Sequence, residues 1–338
     1  MSNIKIIPPR IITLVSTFRC TASCKNCCFR CSPLQGKAMS FKEMKHYVDI
    51  CMNEYGDSIK VLVITGGECM IYRNNIIKII RYATSLGLST RIVTNAFWAT
   101  TYTEAKNTVY QLISAGLKEI NFSTGDDHRE WIPIKNVRNA AVAAFRLGLK
   151  PLINVESHDD SKTSVLKWLK RDSVFRKIVV SGGIIIEQGI WMSFNEESNK
   201  PINYTKTILS PRFDRCSSLF SVIPINPYGE VMACCGLTSE NSLFLRIGNI
   251  NRKPIREIYE SSFQDLLKIW LFVDRPAKIL QHIAQSKEEC LNITTGHICD
   301  ACRTLFNNYK NIEHLNEIYD SFATSTILKY QLLTSKLN

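Results

Sequence analysis

The chain has 338 residues, 45% hydrophobic and 21% charged, a balance that excludes a disordered polar chain and a membrane bundle and allows one full core with a second, smaller one. Lys and Arg number 42 against 30 Asp and Glu, a formal net charge of +12. No run of five basic residues occurs, and the densest patches, Lys167 to Arg171 and Arg246 to Lys253, are not interleaved with aromatics in the way a single-strand-binding groove is, so a nucleic-acid partner is not expected. With no window near the roughly eighteen apolar residues of a spanning helix and no export signal, the expectation is a cytoplasmic protein without membrane contact.

Taken in order, Ile11 to Ser16 reads as a buried strand, Phe41 to Tyr55 as a helix, Lys60 to Thr65 as a strand and Asn75 to Leu86 as a helix with apolar residues three and four apart. Strand Thr90 to Thr94 precedes helix Tyr102 to Ala115, and strand Glu119 to Ser123 precedes helix Val137 to Leu147. Leu152 to Val155 and Ser161 to Arg171 form the next pair, and Lys177 to Val180 is expected as the sixth strand. Parallel neighbours need crossovers of this length, so the alternation predicts a parallel sheet, either open and doubly wound or curved like a barrel. Periodicity fades from Glu187 to Arg215. Val222 to Ile225, a turn at Asn226 to Gly229 and Val231 to Ala233 then read as a hairpin. Pro254 opens a helix running to about Trp270, Pro276 another to about Lys287, and two more helical stretches lie beyond Cys302. The expected domains are 1–186, a linker or substrate-side loop at 187–210, a second domain at 211–310 and a helical extension at 311–338.

Thirteen cysteines in a chain without an export signal point to metal rather than disulfides. Cys20, Cys24 and Cys27 come directly after the first strand in RCTASCKNC. Three thiolates in one short loop can hold three irons of a cubane cluster and leave the fourth open; zinc, with Cys28 or Cys31 as fourth ligand, is the competing reading. A second group comprises Cys216, Cys234 and the downstream pair Cys299 and Cys302, with Cys235 and Cys290 as spare candidates. These four thiolates suit zinc as well as iron.

CxxxCxxC after the first strand of a repeated strand–helix domain resembles the signature of the radical S-adenosylmethionine superfamily. Gly66, Gly67 and Glu68 at the end of the second strand resemble its GGE motif, and Thr94, Asn95 and Ser123 its polar positions at the ends of the third and fourth strands. The resemblance covers residues 11–183 and implies a partial (β/α)6 barrel. It implies a [4Fe-4S] cluster on Cys20, Cys24 and Cys27, S-adenosyl-L-methionine on the open iron, its amino group held by Gly66, Gly67 and Glu68, and its ribose and carboxylate met by Thr94, Asn95 and Ser123. Two positions depart from the pattern: Asn26 stands where an aromatic residue is usual, and Cys69 replaces the proline of GGEP. The glycine-rich adenine segment is not recognisable around Asn154 and Val155. Farther on, Cys216, twelve residues, Gly229, four residues and Cys234 resemble the opening of the twitch, or shortened SPASM, extension, and Ile247 to Ile250 resembles the next segment of that extension. Such an extension implies a smaller C-terminal α+β domain with one auxiliary [4Fe-4S] cluster on Cys216, Cys234, Cys299 and Cys302.

Asp126, Asp127 and His128 come after Ser123 in STGDDHREW, where they can move a proton or simply cap a helix. Glu156, His158, Asp159 and Asp160 occupy the equivalent place after the fifth strand, as substrate contacts. Cys31 and Cys69 flank the loops expected at the radical cluster, where a thiol can return a hydrogen atom to a substrate radical; the plainer reading of a cysteine is a small buried hydrophobe, the reading of Cys51. The resemblance implies cleavage of S-adenosylmethionine to a 5'-deoxyadenosyl radical that takes hydrogen from a substrate. The expected substrate is a ribosomally synthesised peptide, crosslinked, epimerised or oxidised, with dehydrogenation of a small molecule such as a sugar or aminoglycoside precursor as the alternative. An iron–sulfur scaffold or sensor is the reading without catalysis. The implied partners are an electron donor such as flavodoxin or ferredoxin and a separate leader-recognition protein, because the 19 residues before Cys20 are too few for a winged-helix leader-binding module.

Overall fold

The structure, a computed structural model, describes residues 4–34, 36–157, 164–190, 192, 216, 218–286 and 297–335. These divide into two compact units. Among the described residues the first unit carries β1 (Ile11–Val15), α1 (Phe41–Tyr55), β2 (Val61–Thr65), α2 (Arg73–Ser85), β3 (Ser89–Thr94), α3 (Tyr102–Ser114), β4 (Glu119–Gly125), α4 (Ile134–Arg146), β5 (Leu152–Ser157), α5 (Ser164–Arg171), α6 (Ser173–Val180) and β6 (Ile185–Ile190). Successive strands pair in parallel in the order β6-β5-β4-β3-β2-β1.

Near-continuous apolar runs such as IITLV and VLVIT suit strands covered on both faces. Ile12, Leu14, Leu62, Ile64, Ile92, Ile120, Phe122 and Ile153 are buried among them. The helices present matching stripes, Met44, Val48 and Cys51 on α1 and Ile76, Ile79, Ile80 and Ala83 on α2. Each large aliphatic side chain so buried contributes about 1.5–3 kcal/mol. Capping boxes at Ser40 with Glu43 and Thr101 with Glu104 fix where α1 and α3 begin. The register Val15↔Thr65, Ile64↔Ile92, Thr94↔Phe122 and Gly125↔Glu156 brings the carboxyl ends of five strands to one edge.

The strand expected at Lys177 to Val180 is the second half of helix α6. Asp172 accepts a hydrogen bond from the amide of Phe175 as its N-cap, and Gly182, at φ 74°, closes the other end. The sixth strand lies instead at Ile185–Ile190 and runs through the expected domain boundary at 186.

The second unit contains most of β7 (Val222–Ile225), then β8 (Glu230–Met232), β9 (Arg246–Asn249), α7 (Ile255–Ser261), α8 (Leu266–Ser286), α9 (Ile298–Asn307) and α10 (Tyr309–Ser335). Gly229, at φ 77°, ends the turn between β7 and β8, and β8 pairs antiparallel with β9. The helix opened by Pro254 stops at Ser261, short of Trp270. The next bends at Arg275, φ 68°, immediately before Pro276. Phe220, Phe263, Phe272 and Tyr330 form the aromatic core, with the Phe220 and Phe263 rings 4.2 Å apart. Residues 4–10 also belong to this unit: the hydroxyls of Tyr330 and Tyr259 donate to the carbonyls of Lys5 (2.6 Å) and Ile7 (3.0 Å), and Lys5 Nζ donates to the Thr334 carbonyl (3.1 Å). No described helix is long and apolar enough to cross a membrane.

Candidate functional site

The loop after β1 is laced to the loop after β2 through backbone alone. Gly67 N–H donates to the Thr17 carbonyl (2.7 Å) and Glu68 N–H to the Arg19 carbonyl (2.9 Å). A Cβ on Gly67 would stand 2.3 Å from the Arg19 oxygen, and one on Gly66, at φ 138°, 2.4 Å from the Thr17 oxygen, so only glycine permits this approach. Within the thiol loop, Cys20 N–H bonds Ser32 O (3.0 Å), Cys27 N–H bonds Cys24 O (3.3 Å) and Arg30 N–H bonds Cys27 O (3.0 Å). The loop therefore holds Cys20, Cys24 and Cys27 in one coil at the carboxyl edge of the sheet.

Burial raises the thiol of Cys20 to about 11 and that of Cys24 further still, with neighbouring thiols and carboxylates adding to both. Cys27 is lowered, chiefly by a hydrogen bond from the Cys31 thiol, and its sulfur accepts the Cys31 amide at 3.4 Å. Cys31 is buried beside it. Cys69 is fully buried and directs its thiol to the Val93 carbonyl at 3.4 Å.

Glu68 has no exposed surface. Its Oε1 accepts from Met70 N–H (2.9 Å) and Thr94 Oγ1 (2.8 Å), its Oε2 from Asn95 N–H (2.7 Å). Burial nevertheless pushes the carboxyl up to about 7. Asn95 extends the chain of contacts to the thiol loop, donating through Nδ2 to Thr21 Oγ1 (3.0 Å) and toward Cys20 Sγ (3.7 Å). Ser123 lies on β4, half-buried.

Asn26 and Asp127 form a pair that sequence reasoning missed. Asp127 Oδ2 accepts both the backbone N–H (3.1 Å) and the side-chain Nδ2 (3.0 Å) of Asn26, clamping the loop between Cys24 and Cys27 to the end of β4. Both residues are buried. The Asn26 Oδ1 is buried without a hydrogen-bond partner, an acceptor inside the thiol loop. Its signal in the sequence was the polar residue at a position where the resemblance calls for an aromatic one. Next to Asp127, His128 Nδ1 hydrogen-bonds Glu156 Oε1. Burial presses the imidazole down, but the charge and hydrogen bond of Glu156 outweigh it and leave His128 raised. Asp126 is half-buried at the same edge, whereas His158, Asp159 and Asp160 lie outside the described residues.

In the second unit, Cys234 lies just past β8, and Cys299 and Cys302 stand three apart on one face of α9. Burial raises all three thiols, Cys299 to about 12, and each feels the charge of Cys216. A Cβ at Gly236 would lie 3.0 Å from Cys299 Sγ and 3.5 Å from Cys234 Sγ, so this glycine keeps room between the two sulfurs. Thr238 Oγ1 donates to the Cys299 carbonyl at 2.6 Å, and His297 Nδ1 accepts the Cys299 amide at 3.1 Å as the cap of α9. Cys235 is exposed, with its sulfur 3.7 Å from Ser218 Oγ. Cys290 lies outside the described residues. Among the described residues no three His, Cys, Asp or Glu side chains gather as for a single metal ion; a cubane takes one thiolate per iron and spreads its ligands more widely.

Residues 216–303 match the SPASM family, an iron–sulfur cluster-binding domain. No curated protein matches the chain. Among solved structures, the chain is similar to BtrN in complex with AdoMet and 2-DOIA, at 11% identity over 87% of this chain and 97% of that one, TM-score 0.46. It is also similar to methylornithine synthase (PylB), at 12% identity over 55% and 54%, TM-score 0.38. The fold is a partial (β/α) barrel of the radical-SAM type with a separate C-terminal α+β domain of the SPASM or twitch type.

Proposed function

We propose, from a chain that joins a radical-SAM-type barrel to a SPASM-type iron–sulfur domain, that this protein is a radical S-adenosylmethionine enzyme acting on a ribosomally synthesised peptide. The observation that carries the reading is the three-thiol loop, hydrogen-bonded through Thr17 and Arg19 to Gly67 and Glu68. The donor set fits the group: three thiols in one coil, a buried unpartnered acceptor on Asn26, and a carboxylate with capacity to spare. Cys20, Cys24 and Cys27 would ligate the first cluster, and Cys216, Cys234, Cys299 and Cys302 the auxiliary one. Bound there, a reduced [4Fe-4S] cluster and S-adenosylmethionine supply a 5'-deoxyadenosyl radical that takes a hydrogen atom from the substrate.

The chain's own residues have definable work. An ionised carboxylate offers about four acceptor sites; Glu68 uses two on Oε1 and one on Oε2, and the fourth, buried with the rest of the side chain, is the one an ammonium group would take on entering. Asn95 and Thr94 hold that carboxylate in place. His128 with Glu156 can take or return a proton at the same edge of the sheet. The resemblance of the auxiliary extension to that of peptide-modifying enzymes supports the substrate class. The His128–Glu156 pair favours a second reading, oxidation of a carbinol in a small molecule, because such a substrate must shed, besides the hydrogen atom, its hydroxyl proton, which this pair can accept, and one electron, which an auxiliary cluster on Cys216, Cys234, Cys299 and Cys302 would accept.

Anaerobic, iron-loaded protein treated with dithionite and S-adenosylmethionine is expected to form 5'-deoxyadenosine, and replacement of Cys20, Cys24 and Cys27 by Ala to abolish it. Iron-loaded parent protein that forms none would falsify the reading. The peptide assignment is tested by mass spectrometry on peptides encoded beside the gene. Loss of two hydrogens, or uptake of solvent deuterium on epimerisation, supports it, and turnover of a sugar-like alcohol alone moves the assignment to the second reading.

A further inference from the structure

Past the third thiol the loop turns back on itself. Arg30 N–H donates to the Cys27 carbonyl (3.0 Å), and Arg30 sits at φ 50°, a left-handed conformation that residues other than glycine adopt against steric resistance. The turn brings both donors of the next residue onto one sulfur. The Cys31 amide donates to Cys27 Sγ at 3.4 Å, the Cys31 thiol hydrogen-bonds the same atom, and the Phe29 amide adds a third donor. Of these three the thiol is the one supplied by a side chain, so it can be removed without touching the backbone. The Phe29 carbonyl, at 3.8 Å, is the other acceptor within reach of that thiol; a thiolate is the stronger of the two because it carries charge. Cys31 is 4% exposed, and a Cβ built on Gly67 would stand 3.1 Å from its Sγ. The thiol is therefore wedged where the loops after β1 and β2 meet, with its hydrogen directed within the loop.

Resting on the reading of Cys27 as a cluster ligand, we infer that Cys31 sets the reduction potential of the cluster in this loop by hydrogen-bonding the Cys27 sulfur through its thiol. One electron given up by a reductant takes a [4Fe-4S] cluster from the 2+ to the 1+ state, and the added charge is shared with the thiolate sulfurs. A donor aimed at such a sulfur stabilises the reduced form more than the oxidised one and raises the potential. A thiol is a weak donor, so its share is an adjustment on top of the two backbone amides. In this role Cys31 acts through Cys27, ligating no iron and touching no substrate. The left-handed turn at Arg30 is what aims it, which gives that strained position a purpose.

The test is a potentiometric titration of anaerobic, iron-loaded full-length protein with dithionite, followed by electron paramagnetic resonance, comparing the parent with Cys31→Ala and Cys31→Ser. The signal of interest is the one that added S-adenosylmethionine perturbs, and any signal from the second unit serves as an internal reference. We expect Cys31→Ala to lower the reduction equilibrium about threefold to tenfold, which for a one-electron couple is about 30–60 mV, with iron content unchanged, and Cys31→Ser, which keeps a donor, to return to within about twofold of the parent. A parental potential in Cys31→Ala overturns the inference and leaves Cys31 without a part in the potential. Equal shifts in the Ala and Ser variants overturn it too, by assigning the change to packing against Gly67, and so does loss of iron in Cys31→Ala, by making Cys31 a ligand. Iron-loaded parent protein with no dithionite-reducible signal that S-adenosylmethionine perturbs overturns the cluster reading, and this inference with it.

Discussion

A carboxylate without exposed surface is held by its partners, and Glu68 has three, which tie the ends of β2 and β3 to each other. Its carboxyl titrates near 7 in the folded chain against an ordinary 4.5, so the folded state keeps the proton that the unfolded state has already lost. The resulting stability is complete below pH 4.5 or so and disappears as pH rises through about 7, a change of roughly 3 kcal/mol. Glu68→Gln should flatten that slope in denaturant unfolding of cluster-free protein between pH 5 and 8; equal slopes in parent and variant would refute it. Asp127 answers to a different measurement. Its two bonds from Asn26 are of the charge-assisted kind, worth about 1.5–3 kcal/mol each, and Asp127→Ala leaves the Asn26 amide unsatisfied as well. Any iron that Cys20, Cys24 and Cys27 hold, as proposed, should then be lost faster and amide exchange across residues 24–31 should quicken, while Asp127→Asn, which keeps an acceptor, recovers most of both. The cysteine spacing was legible because spacing in a short loop is local information. The Asn26–Asp127 clamp was not, since the two residues are 101 positions apart and meet only once β4 lies beside the loop.

At the scale of the element, the close approach of the β1 and β2 loops rests on Gly67. Gly67→Ala must drive the Arg19 carbonyl away and break both backbone bonds, a cost of about 1–3 kcal/mol or more, whereas Gly189→Ala, with nothing within 4 Å of the new Cβ, should stay within about 0.5 kcal/mol of the parent. Thermal unfolding of the two variants separates them, and equal shifts would remove the special role of Gly67. The alternation of strand and helix through β5 was readable because each apolar run kept one period and ended at a glycine or a cap. It failed at Lys177 to Val180, where the β-branched run IVV looks like a strand while the cap that makes it a helix, Asp172, sits outside the run. It failed again after Pro254, because Ser262 to Asp265 carries no proline or glycine to announce the break between α7 and α8.

For the whole molecule, each unit holds one thiol group in the proposed reading, and metal analysis can separate them. The parent should hold about eight irons per chain, and the Cys20, Cys24, Cys27→Ala variant and the Cys216, Cys234, Cys299, Cys302→Ala variant about four each. One zinc in place of the second four irons would overturn the auxiliary assignment. The units are not consecutive in the chain, because residues 4–10 are held by Tyr259, Tyr330 and Thr334. On a ribosome this sets an order of events. The strands of the first unit and their thiol loop emerge early and can fold while residues 4–10 still wait for Tyr330, more than three hundred residues downstream. A nascent chain arrested before Tyr259 would therefore carry the strands of the first unit complete while residues 4–10 still lacked the hydroxyls of Tyr259 and Tyr330 that hold them in the finished protein.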